Sequence, residues 1–280
     1  GMEYPMATLI KSASIGTAIH EWMHSWYQMM MGSNESLYPW MDEGFTDYAS
    51  TRVMATMRGA KGFWFNGSYR SYFNLAKSGL EEPASTHADH FNTNYAYSTA
   101  AYSKGSVFMV QLGYIVSDSI RDQILLSYYN QWRFKHPNPN DFIRVAEKAS
   151  GMELDWYKEY WINSTKTIDY AVGSIDVVDA KTMITIKRVG KMPMPVDVLV
   201  TYKDGSQEMH YIPLSLMYGE KPAEGTTPRF VHPEWKWTHP EYAFPITKGI
   251  QDIRSIEIDP SQRLADVNKA NNKIAVPEGN

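Results

Sequence analysis

Apolar and polar positions follow two different rhythms along this chain. Up to about residue 163, apolar residues recur every three or four positions, the spacing of helices with one buried face. From about Asp169 they recur every second position, the spacing of strands with one buried face, as in Ile184-Ile186 and Val196-Val198-Val200. The first rhythm predicts helices over 15–31, 39–57, 99–117, 119–134, 139–150 and 153–163, after a short apolar run at 5–12 that reads as a strand. Gly32-Ser33-Asn34 ends the first helix, and Asn140 or Asp141, after two prolines, offers a cap for a later one. The second rhythm predicts strands over 171–178, 183–189, 196–202, 208–212 and 253–258, with Lys203-Asp204-Gly205-Ser206 as a hairpin turn. Between the helices, residues 60–96 are rich in Gly, Ser, Asn and His, a composition suited to shaping a cleft on a rigid scaffold. The chain is expected to be α+β, with a mainly helical domain over 1–168 and a β-sandwich over 169–280.

Composition narrows the chemistry. The chain has 280 residues, 43% of them hydrophobic, enough for a sizeable core and two domains. Its net charge is -4, and no basic block resembles a nucleic-acid footprint, so no nucleic-acid partner is expected. Cysteine is absent, which excludes disulfides and thiolate chemistry and leaves nitrogen and oxygen as metal ligands. No run approaches 18 apolar residues, so no membrane span is expected, and the chain opens on Gly1-Met2-Glu3-Tyr4-Pro5 without a signal-peptide pattern. Asn34, Asn66 and Asn163 head glycan-acceptor tripeptides, a pattern common by chance. These features leave the compartment open; a soluble periplasmic or secreted chain is the expectation over a cytoplasmic one.

The chemistry-bearing text is His20-Glu21-Trp22-Met23-His24, with Glu43 nineteen positions beyond His24. Histidines four apart share one helix face and can point at one metal. Glu43, from the next predicted helix, supplies a third ligand. Two nitrogens and one oxygen leave a position open for water, the pattern of a catalytic zinc, one per chain. Glu21 then serves as general base, taking a proton from water and passing it to the leaving amine. The bland alternative is two packed or surface histidines on an amphipathic helix, and Glu43 weighs against it. Asp47, four residues beyond Glu43, is placed to accept from a ligand histidine, or else is a solvated helical aspartate. His87 and His90 sit in a loosely spaced loop and are left outside the ligand set.

Together with two further stretches, Trp40-Met41-Asp42-Glu43-Gly44-Phe45 and Ala96-Tyr97-Ser98-Thr99-Ala100-Ala101-Tyr102-Ser103-Lys104-Gly105, this text resembles the M1 family of zinc aminopeptidases, among the gluzincins. The motifs run in the family's order and cover most of 1–165. The resemblance implies a thermolysin-like zincin catalytic core and hydrolysis of N-terminal residues from peptide substrates. It implies that Glu3 matches the acidic residue of the family's Gly-x-Met-Glu-Asn motif, which holds the substrate's α-amino group; Tyr4 stands where the family has Asn. Tyr102 matches the tyrosine that donates to the developing oxyanion, and Tyr97 a second cleft tyrosine. Family members carry an N-terminal β-domain before the Glu3 motif, which makes that domain an expected partner. Two other readings stay open: a zinc endopeptidase of thermolysin-like mechanism, and a non-catalytic interaction module that retains zinc.

Overall fold

The helical rhythm is realised, with interruptions that matter. In the computed structural model, which describes residues 1–276, the chain divides into two units, Gly1–Thr165 and Lys166–Asn280. The first unit opens with a hairpin of β1 (Met2–Tyr4) and β2 (Ala7–Leu9), paired antiparallel. The expected single strand over 5–12 is therefore a turn and a second strand: Pro5 pre-sets a bend, and Met6 takes a left-handed φ of 64°.

Helix α1 (Ile15–Met23) starts at Ser14, whose Oγ accepts from the Thr17 amide at 3.4 Å. The expected helix over 15–31 breaks. Residues Ser25–Met30 form a π-helical turn in which Tyr27 (φ -93°, ψ 115°) and Gln28 (φ 87°, ψ -58°) leave helical geometry. The unwound backbone brings the Tyr27 carbonyl to 3.2 Å from His24 Nδ1, so the break serves the histidine ring. Helix α2 (Pro39–Met57) begins with proline in its first turn, where the missing amide is no loss. Residues 39–46 of α2 are buried on all sides, Asp42 and Glu43 included.

Helices α3 (Asn66–Ser78), α4 (Asn94–Ser98), α5 (Gly105–Val116), α6 (Asp118–Trp132), α7 (Pro139–Ser150) and α8 (Asp155–Trp161) complete this unit. A second π-helical turn, Thr99–Lys104, joins α4 to α5, where the periodicity predicts one continuous helix. Helix α5 is buried along its whole length and crosses α2 at two glycines. A Cβ on Gly44 would lie 2.6 Å from Gly105 Cα, and one on Gly105 would lie 2.8 Å from Gly44 Cα. Only glycine at both positions lets the two backbones approach this closely. Among the described residues no helix is long and apolar enough to cross a membrane.

The second unit holds two sheets. One has the order β10-β9-β5-β6-β7, from β5 (Val196–Tyr202), β6 (Gln207–Ile212), β7 (Arg229–Val231), β9 (Ile253–Ile258) and β10 (Lys273–Ala275). The other is antiparallel, β3 (Tyr170–Val178), β4 (Lys181–Arg188) and β8 (Glu241–Pro245). Val196, Val198, Val200, Ile184 and Ile186 are buried, as the period of two requires. Strands β7, β8 and β10 were not expected. Two are three residues long, and β8 is bracketed by Pro240 and Pro245, which mask its alternation.

Between the sheets lies a polar chain. His210 Nε2 donates to Glu208 Oε2 at 3.2 Å, and His210 Nδ1 pairs with His232 Nε2 at 2.9 Å. Tyr202 donates to Glu208 Oε2 at 2.6 Å, Thr247 donates to Oε1, and the His210 and Phe244 rings lie 4.9 Å apart.

Two outcomes are expected. Gly105→Ala drives a methyl into the Gly44 backbone and the Trp40 carbonyl, neither of which yields easily. It should destabilise the protein by about 1–3 kcal/mol in urea denaturation. Burial, aided by the neighbouring His232, lowers the His210 pKa to about 4. The unfolded imidazole takes its proton near pH 6.5 while the folded one does not, so this group's contribution falls as pH drops from about 6.5 toward 4. The His210 C2 proton should accordingly show no titration between pH 7 and 5 by NMR.

Candidate metal centre

Helix α1 presents His20, its C-cap residue His24 follows one turn on, and α2 brings Glu43 against them. His20 Nε2 lies 3.1 Å from Glu43 Oε2 and 3.2 Å from His24 Nε2, and His24 Nε2 lies 3.3 Å from Glu43 Oε2. Three ligand atoms thus form a nearly equilateral triangle. Tetrahedral zinc with bonds of about 2.0–2.1 Å has ligand–ligand edges of about 3.3–3.4 Å, so this triangle matches one face of such a site. The donor set, two imidazoles and a carboxylate, is also that of a zinc ion with one open position. The residues present fit the ion.

The tautomer of His24 follows from its surroundings. Its ring is fully buried, with Asp42 Oδ1 at 2.7 Å, the Tyr27 carbonyl at 3.2 Å and Thr46 Oγ1 at 3.3 Å around Nδ1. Three oxygens there hold a ring proton on Nδ1 and point Nε2 at His20 and Glu43, where it donates to Glu43 and, to a bound ion, would offer its lone pair. Burial opposes charge on this ring, but the Asp42 and Glu43 carboxylates outweigh it and raise the His24 pKa to about 10. Burial likewise raises the Asp42 pKa to about 7. Burial works against the Glu43 charge too, yet hydrogen bonds from His20, His24 and Tyr102 carry its pKa down to about 2. The pocket therefore stabilises positive charge between carboxylates, which is what a divalent cation provides.

Tyr102 comes from the second π-helical turn. Its hydroxyl donates to Glu43 Oε1 at 2.5 Å, and its ring stacks on His20 at 5.6 Å. Burial, reinforced by Glu43, pushes the phenol far above its usual range, so it stays a donor. Tyr97, one turn earlier, packs edge-on against Phe91 and is pushed up to about 12 by burial and the nearby carboxylates. A cavity of about 610 Å³ is lined by Glu3, Glu21, Glu35, Tyr97 and Tyr102 together with the triangle. Glu21 is buried at its wall. Glu3, on β1, has its pKa raised by burial, and Glu43 and Glu21 add to the effect. Glu3, His24 and Asp42 also bring ligand-type atoms within 4.8 Å of one another. Asp42 there serves the Nδ1 side of the ring, leaving Nε2 to the first set.

The carboxylate beside the buried candidate ring is Asp42, its Oδ1 2.7 Å from His24 Nδ1. Asp47 lies beyond His20, where its Oδ2 accepts from Ser68 Oγ at 3.2 Å and burial raises its pKa. The i+4 spacing pointed to Asp47. The signal for Asp42 is only its adjacency to Glu43, since its reach to His24 depends on how two helices pack. His87 and His90 pair with each other, ring centroids 4.7 Å apart, and Ala88 between them lines the cavity. Glu35 and Ser36, which the sequence marked only as part of a glycan-acceptor tripeptide, line it as well.

Comparisons with known proteins identify the family. The family model for the peptidase family M1 domain matches residues 6–161. Leucine aminopeptidase 2 of Neosartorya fischeri is 24% identical over 223 residues, 71% of this chain and 36% of that protein. Aminopeptidase B of Mus musculus is 25% identical over 178 residues, 58% of this chain and 25% of that protein. The chain thus spans between a quarter and about a third of the length of these relatives. Among solved structures, aminopeptidase A of Legionella pneumophila in complex with aspartic acid shares the fold, with a TM-score of 0.56 at 13% identity, over 88% of this chain and 26% of that one. With more than half of its residues matched by the family's domain model and its architecture shared with a solved aminopeptidase, this chain belongs to peptidase family M1.

Proposed function

We propose that this chain carries the catalytic core of a zinc-dependent aminopeptidase, with zinc held by His20, His24 and Glu43. The observation that carries the reading is the triangle of three ligand atoms at 3.1, 3.2 and 3.3 Å, with a buried carboxylate and a phenol on the same cavity. Zinc, when bound, polarises the scissile carbonyl and makes water acidic enough to attack it. Glu21 takes the proton of the attacking water and delivers it to the leaving amine nitrogen. Tyr102 donates its hydroxyl hydrogen to the oxyanion that develops on the carbonyl oxygen, a bond that strengthens as charge builds. Asp42 holds His24 in the tautomer that presents Nε2. Tyr97 shapes the cavity wall beside Tyr102.

Glu3 supports exopeptidase over endopeptidase action. Its carboxylate faces the cavity that Glu21 and Glu43 also line, where mutual repulsion favours a bound cation. A peptide's terminal ammonium supplies that charge and sets the first peptide bond at the site. Kinship with leucine aminopeptidase 2 and aminopeptidase B supports the same class of substrate.

Three measurements test this reading. The zinc-loaded protein should hydrolyse an unblocked peptide and lose that turnover when the substrate is N-acetylated. Equal rates on both would favour an endopeptidase, and bound zinc without turnover of either would favour a non-catalytic module. Glu21→Gln should lower kcat about 10²–10⁴-fold while zinc content stays at one per chain. Asp42→Asn should weaken zinc binding about 10–100-fold in a competition titration against a chromogenic chelator.

A further inference from the structure

Lys104 is a lysine with 1% exposure, and the chemistry above makes no use of its charge. Its Nζ donates to Glu81 Oε1 at 2.7 Å and to the Ser164 carbonyl at 3.0 Å. The ammonium lies 5.9 Å from the ring centroids of both Tyr72 and Trp161, and Trp161 Nε1 donates to the Lys104 carbonyl at 3.1 Å. Burying such a pair is a poor way to gain stability. Each ion loses its hydration on burial, and apolar side chains of similar volume often do as well or better. What the pair adds over an apolar contact is direction: each partner has one place to sit.

That place is tied to the candidate site. Lys104 ends the π-helical turn Thr99–Lys104 that carries Tyr102, and the next residue, Gly105, meets the Gly44 backbone. Positions two apart on a helical turn lie on opposite sides of it, so Tyr102 faces the cavity while Lys104 faces the core. Glu81 lies on the segment that runs on to Ala88 at the cavity wall, fastened by Ser85 N to the Ile162 carbonyl at 3.1 Å and Ala88 N to the Ser36 carbonyl at 2.8 Å. One ammonium therefore ties the tyrosine's turn, the cavity wall and the end of the unit together. A π-helical turn is rare and has little intrinsic stability, so its geometry depends on such anchors.

We propose that the buried Lys104–Glu81 pair is the positioning device for Tyr102, pinning the π-helical turn so that the phenol arrives at Glu43. The inference rests on the role proposed above for Tyr102. A double variant, Lys104→Met with Glu81→Gln, removes both charges without stranding either one. It is compared in the native and Tyr102→Phe backgrounds. In the native background kcat should fall about 10–100-fold with KM nearly unchanged, because a small misplacement of a reacting group has that effect. In the Tyr102→Phe background the same change should have almost no further effect on kcat. Equal losses in both backgrounds, or no loss in the native one, would overturn the proposal. Full turnover by Tyr102→Phe alone would instead remove the role of Tyr102, and the proposal with it. A readout independent of turnover is the fluorine resonance of 3-fluorotyrosine placed at position 102. The double variant should move it toward the position of a solvent-exposed tyrosine, and an unmoved resonance would count against the pair. Glu81→Asp keeps both charges and shortens the reach by one methylene; it should give a smaller shift of the same sign if the double variant does not fold.

Discussion

Both ring nitrogens of His24 are engaged, and the rest of the site depends on it. Asp42 holds Nδ1 from one side, so Nε2 must face His20 and Glu43 on the other. Asp42 and Glu43 are neighbours on α2, so a single turn of that helix grips the ring at both ends. The ring is fully buried, and no solvent stands ready to replace either partner. A shift of α2 against α1 would therefore disturb the ring's orientation and the ligand triangle together.

Aromatic side chains such as Trp40 and Phe45 pack α2 into the core, and backbone contact sets how near it comes to α5. Gly44 follows Glu43 and Gly105 follows Lys104, and the two glycines allow α2 and α5 to cross at near contact. This close crossing brings Tyr102 to Glu43, although 59 positions separate them in the chain. Irregular helix flanks the site on both sides. One π-helical turn follows His24 and the other carries Tyr102. Such turns cost regular hydrogen bonding and recur at functional sites, where they aim a group that a straight helix would misdirect. Here one returns a carbonyl to His24 and the other ends in a buried ion pair.

The electrostatics follow the same logic. Glu3, Glu21, Glu35, Asp42 and Glu43 line one cavity without a lysine or arginine among its lining residues. Burial, with Glu43 and Glu21 adding to it, raises the Glu3 pKa, while hydrogen bonds from two imidazoles and a phenol lower that of Glu43 against its burial. The metal reading and the ammonium reading each bring a cation to this cavity. The second unit keeps its own buried polar chain, from Tyr202 through Glu208 and His210 to His232, satisfied within itself.

Much of the fold was legible because secondary structure follows local periodicity. The helices over 39–57 and 139–150 and the strands over 196–202 and 253–258 lie where the spacing put them. The breaks did not show. The helix over 15–31 fails at Tyr27 and Gln28 because a buried histidine takes a carbonyl there, and apolar spacing carries no trace of that demand. Residues His20 and His24 had to share a face, since i and i+4 always do. Whether Glu43 would meet them, and whether Asp42 or Asp47 would reach a ring, depended on the approach of two separate helices. Residue type and spacing along one element are written in the chain. Distances between elements arise only when backbones pack, and at this site they hinge on two glycines that no periodicity marks.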